Sequence, residues 1–93
     1  MKLLFERDYD KQSLLSRDST TEYYFVNTKL ARISVNNDTP DQTWQYKIIT
    51  NRREIREKNI SNRYVAETLS MIKLKELVNE LAYQVEKWLE EVK

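Results

Sequence analysis

Apolar positions in the last third of the chain recur at alternating steps of four and three: Leu74, Val78, Leu81, Val85, Trp88 and Val92, with Leu77 and Leu89 widening the stripe. This spacing predicts an amphipathic helix from about Met71 to Val92. Ser70 stands where an N-cap hydroxyl would accept from the free amides of the first turn. Burying eight such side chains is worth on the order of 10–20 kcal/mol before chain entropy offsets most of it, so the helix needs a surface to dock on.

Upstream the period changes to two. Ala31, Ile33 and Val35 alternate with Arg32 and Ser34, and Trp44, Tyr46 and Ile48 alternate with Gln45 and Lys47. These are half-buried strands, joined by the turn-rich NNDTPDQ, which holds the only Pro. Tyr23–Val26 is a third strand, with Asn27-Thr28 as a tight turn after it, and KLLFE is a candidate edge strand. Tyr64–Leu69 is rich in strand formers and reads as a last strand running into the Ser70 cap; a helix starting near Ser61 is the alternative. In NRREIREKNISNRY the only apolar residues before Tyr64 are Ile55 and Ile60, which share a face in neither period. Position within the meander favours a strand there over a short capped helix. The fold expected is α+β: an antiparallel meander of three to five strands over residues 23–69, packed against one long C-terminal helix over 70–92. Residues 6–22 are polar enough to form a mobile loop.

Composition narrows the chemistry. Ninety-three residues make a single domain, and the chain has no Cys, no His and no Gly. Disulfides, thiolate metal sites and Ser–His or Cys–His nucleophile pairs are therefore out of reach. Phosphate-cradling loops and Asn-Gly or Asp-Gly hairpins, which need glycine at fixed positions, are excluded as well. No apolar run approaches the roughly 20 residues of a membrane span, and the amino terminus turns acidic too soon for a signal peptide, so a cytoplasmic protein is expected. No cofactor and no metal site is expected: Asp8, Asp10, Asp18 and Glu22, or Asn36, Asn37, Asp38 and Asp41, lack the spacing of a recognised cation loop and suit turn chemistry.

Charge then singles out one segment. Residues 51–63 carry five basic and two acidic groups in a chain of net charge +1. Arg52, Arg53, Arg56, Lys58 and Arg63, with Tyr64 and the nearby Trp44 and Tyr46, combine cations with stacking rings as binders of single-stranded nucleic acid do. Glu54 and Glu57 interrupt the patch, and the aromatics are needed for the core. A surface for a protein or nucleoprotein partner is the stronger expectation. Trp88 and Tyr24 are candidate interface residues, since one of the adjacent Tyr23 and Tyr24 should face outward and aromatic anchors are common at interfaces. A homodimer through the helix is a further alternative, although Leu74 to Val92 spans fewer than three heptads and such patterns more often pack within one chain. Small size, high charge and the lack of site chemistry suit a non-enzymatic regulator or inhibitor, of the kind found on phages and mobile elements, that occupies a partner's surface.

Overall fold

The structure, a computed structural model, describes residues 5–11 and 20–92. Five strands form one antiparallel sheet in sequence order: β1 Glu6–Arg7, β2 Tyr23–Asn27, β3 Arg32–Asn36, β4 Trp44–Ile49 and β5 Glu54–Ile60. A single long helix, α1, follows over Arg63–Val92. This is the α+β meander with a C-terminal helix that the periodicities predict.

Register explains the core. Tyr24 pairs with Val35, Val35 with Tyr46 and Tyr46 with Glu57; in the next row Val26 pairs with Ile33, Ile33 with Ile48 and Ile48 with Ile55. Cross-strand partners share a face, so these rows form the side on which α1 lies. Ile33, Val35 and Ile48 there are fully buried, and Ala66 and Ser70 are the fully buried residues of the helix. Small side chains at those two positions let the helix axis approach the sheet closely. Leu69, Leu74 and Leu77 complete the contact, half-buried against the core.

Two features are corrections. First, the strand expected over Tyr64–Leu69 is helical, and the helix begins at Arg63 rather than after Ser70. Asn62 is its N-cap: its Oδ1 accepts from the Val65 amide at 3.0 Å, while its carbonyl accepts from Ala66 at 3.1 Å. Ser70 sits in the third turn instead, donating its hydroxyl to the Glu67 carbonyl at 2.7 Å, as a mid-helix serine does when buried. Second, the start of the loop expected over residues 6–22 is ordered. Glu6 and Arg7 pair with Phe25 and Tyr24, Arg7 bridges to Glu22 at 3.1 Å, and Asp8 holds Arg32 at 3.2 Å. Residues 12–19 lie outside the described residues, as do residues 1–4 of the expected edge strand.

The turns show how a chain without glycine closes hairpins. Both four-residue connections, Thr28–Ala31 and Thr50–Arg53, open on a threonine whose hydroxyl accepts from the amides two and three residues on and donates to the carbonyl of the third. The side chain supplies the turn's hydrogen bonds, and neither turn uses positive φ. The β3–β4 loop is tied by Asn37, which accepts from the Glu22 amide and donates to the Thr20 carbonyl, and by Asn36, which accepts from Gln45 and from the Asp38 amide. Asp41, its carboxyl held below the usual range by bonds from Thr43, closes the loop's far side.

Positive φ occurs twice among the described residues, at Gln42 and at Asn59 (φ 62°). The second position resolves the puzzling spacing of Ile55 and Ile60. Trp44 pairs with Ile60 and Tyr46 with Glu57, so Lys58 and Asn59 together oppose Gln45 in a β-bulge. The extra residue restores the inward face: Ile55 and Ile60, five apart, both reach the core. Asparagine tolerates the left-handed backbone that a bulge of this kind otherwise assigns to glycine.

Candidate functional site

The helix is longer than the sheet it covers. Thirty residues make a rod of about 45 Å, while strands of five to seven residues span roughly 17–23 Å. The molecule accordingly measures 58 × 27 × 24 Å. From Val78 onward every described residue is exposed, including Leu81 (51 %), Trp88 (58 %), Leu89 (61 %) and Val92 (83 %), together with Val78 and Val85. The apolar stripe that predicts the helix is therefore used in two ways: its beginning packs on the sheet and its continuation stands in solvent. The expectation that the whole stripe docks within the chain is corrected here.

Where the helix leaves the sheet, a groove of about 330 Å³ opens between Leu74, Leu77, Val78 and Leu81 on one wall and Leu30, Thr50, Asn51 and Arg52 on the other. The two threonine turns thus sit at the root of the projecting segment. Leu30, at the tip of the first, is itself largely exposed. A second groove adjoins it, lined by Arg53, Leu77, Glu80, Leu81 and Gln84. An apolar floor with Arg52 and Arg53 on its rim is the result.

The basic segment does not form one patch. Arg52 and Arg53 belong to the β4–β5 turn, fully outside the strand, and neither they nor Lys58 has an ion pair among the described residues. Arg56 stands on β5 opposite Lys47, on the face away from the helix, and pairs with Glu54 at 3.5 Å. Lys58 occupies the bulge, roughly 13–17 Å along the strand from the turn. Arg63 is a structural residue: its guanidinium lies 4.4 Å from the Tyr24 ring and 4.6 Å from the Tyr64 ring, and its Nε pairs with Glu67 at 3.4 Å.

The aromatics are mostly withdrawn as well. Tyr46 is buried, Trp44 packs half-buried beside Tyr24 with ring centroids 6.2 Å apart, and Tyr64 is exposed beside Arg63. Tyr24 is 8 % exposed and Tyr23 2 %, so the expectation that one of the two faces outward is overturned. Tyr24 fills the core face, where Arg7 and Arg63 cover its ring, and offers no surface for an interface. Tyr23 lies on the opposite face, and donates its hydroxyl to Asp38 at 2.6 Å. Burial, with the hydrogen bond to Asp38 and that carboxylate's charge, pushes its phenol up to about 12. Trp88 remains the one sequence-named interface residue that stands on the projecting stripe.

Among the described residues no group of three or more acidic side chains is placed to hold a metal ion, and no helix is long and apolar enough to cross a membrane. No family model, no curated protein and no solved structure matches the chain.

Proposed function

We propose that this chain is a non-enzymatic protein-binding module, a small cytoplasmic regulator or inhibitor of the phage or mobile-element type, whose contact element is the projecting half of α1. One observation carries the reading: six large apolar side chains on one helical stripe, Val78, Leu81, Val85, Trp88, Leu89 and Val92, are exposed together. Monomeric soluble proteins rarely leave a contiguous apolar surface of this kind in water, and an amphipathic helix offered to a partner is a recurrent recognition mode. Trp88 is the expected anchor, since buried tryptophans dominate interface energetics.

The nucleic-acid alternative, built on residues 51–63, draws less support from the geometry, because its cations are divided among a turn, a strand face, a bulge and an aromatic sandwich. The two readings separate in one pair of measurements. Trp88→Glu is expected to abolish capture of the partner that the wild-type chain retains, whereas Arg56→Glu leaves it. Titration with a fluorescent single-stranded oligonucleotide is expected to show no saturable binding at low salt. Tight binding whose log–log salt slope is flattened by Arg52→Ala or Arg53→Ala would instead install the nucleic-acid reading.

A further inference from the structure

The partner of the projecting helix can be named from the chain itself. We infer that it is a second copy, docked antiparallel, with the Glu90-Glu91 end of each helix against the Arg52-Arg53 turn of the other. This inference rests on the protein-binding reading above and specifies its occupant.

Heptad position comes first. With Val78, Val85 and Val92 at a, Leu74, Leu81 and Trp88 fall at d, and the flanking e and g positions from 77 onward are Leu77, Ala82, Gln84, Leu89 and Glu91. Polar and charged residues such as Asn79, Glu80, Glu86 and Glu90 fall outside the seam. A seam of this composition is complementary to itself, which is what an isologous two-fold interface requires.

Orientation is decided by charge and by the groove. The sheet covers a neighbouring face of each helix, through Ala66, Leu69, Ser70 and Leu77 at positions c, f and g, and reaches the seam only at Leu74. A parallel, in-register pair would bring the helices within about 8–10 Å of one another. The acidic ends, Glu90 and Glu91 of both copies, would then lie side by side. Run antiparallel, the pair avoids this conflict: Val78 meets Trp88 of the other copy, Leu81 meets Val85, and Leu74 meets Val92, matching a with d in every layer. The far end of each helix then arrives at the groove of about 330 Å³ at the root of the other, where Leu30 and Leu77 provide apolar walls.

Charge supports the same register. Residues 78–93 carry four acidic and two basic groups. In the antiparallel register Glu90 and Glu91 reach the level of Lys75 and Glu76, beside the turn that carries Arg52 and Arg53. Those two arginines line the grooves there and have no ion pair of their own among the described residues. The unpaired cations and the acid-rich helix end, separate within one copy, become neighbours in two.

Sedimentation of the full chain over a range of concentrations, followed by charge exchange and cross-linking, tests this. A reversible dimer is expected, and Trp88→Glu should yield a folded monomer. Arg52→Glu with Arg53→Glu should weaken association roughly tenfold, and adding Glu90→Arg with Glu91→Arg should restore it. Because the chain has no cysteine, orientation can be read by oxidation: a mixture of Val78→Cys and Trp88→Cys chains should give the mixed disulfide. Disulfides joining Val78→Cys to itself would overturn the antiparallel arrangement, as would the absence of cross-linking in a dimer. A wild-type chain that stays monomeric at the highest soluble concentration would overturn the inference as a whole while leaving a different protein partner for the helix. A dimer indifferent to Trp88→Glu would remove both.

Discussion

The two halves of α1 both carry apolar residues at helical spacing and have different fates. Residues 63–77 lie on the sheet with Ala66 and Ser70 fully buried, whereas residues 78–92, which continue the apolar stripe begun at Leu74, stand clear of it. The difference lies in the sheet's dimensions rather than in the helix. Periodicity reports that a helical face is apolar; only the size of the opposing layer decides how much of it the chain can cover. Small residues mark the covered half, because close approach to a sheet needs them. Bulky ones, Leu81, Tyr83, Trp88 and Leu89, stand exposed on the half beyond the sheet.

The contrast can be broken most forcefully from below. Ile48 is fully buried under the first half of the helix, so Ile48→Ala should cost about 2–5 kcal/mol, read as a fall in the denaturant midpoint. Leu89→Ala, in the second half, should stay within about 0.5 kcal/mol in dilute solution. Ser70→Leu comes next: the added volume has no room against the sheet and should cost about 1–3 kcal/mol, whereas Ser70→Ala should be nearly silent in thermal melts. If Ser70 were a cap, the alanine variant would be the damaging one. Asn59→Val forces a β-branched residue into left-handed backbone and should cost about 1–2 kcal/mol, with Asn59→Gly tolerated. Asn62→Ala should cost about 1 kcal/mol through loss of the cap.

The smallest effect is a pH dependence confined to the sheet side. Tyr23 ionises near 10 in the unfolded chain and near 12 when folded. A raised pKa means the native state favours the neutral phenol, so this contribution is fully present below pH 10 and is lost as pH rises from about 10 to 12. Stability measured across that window should fall less steeply in Tyr23→Phe than in the wild type. An identical slope in the two proteins would mean that the buried Tyr23 phenol is not the group that titrates in this window.

Most of the architecture is legible in the residues. Period two yields the three central strands, and steps of three and four yield the helix. What stays hidden does so for particular reasons. Ser70 matches a cap, but a serine at the closest approach of helix to sheet looks the same in sequence; the real cap, Asn62, is a good cap residue obscured by the strand formers that follow it. Ile55 and Ile60 defy both periods until the bulge at Lys58 and Asn59 is known, and an asparagine in a chain without glycine is the trace that could reveal it. Tyr23 and Tyr24 both vanish from the surface, because cover on both faces of β2 defeats the rule of alternation. The basic segment is visible as composition, but the turn, bulge and helix start that divide its charges are not. Trp88 was nameable from the stripe alone; the groove at Leu30 and Arg52 depends on which hairpin turns gather at the helix's point of departure.

Amide hydrogen exchange along α1, followed at several protein concentrations, tests the division of the helix most directly. Helical segments without tertiary packing are marginal in water. Amides of residues 66–77 should therefore be protected at every concentration, while those of residues 79–92 should exchange rapidly in dilute solution and gain protection as the second copy binds. Equal and concentration-independent protection of both halves would contradict the account, since it would mean that the chain's own fold covers the whole stripe.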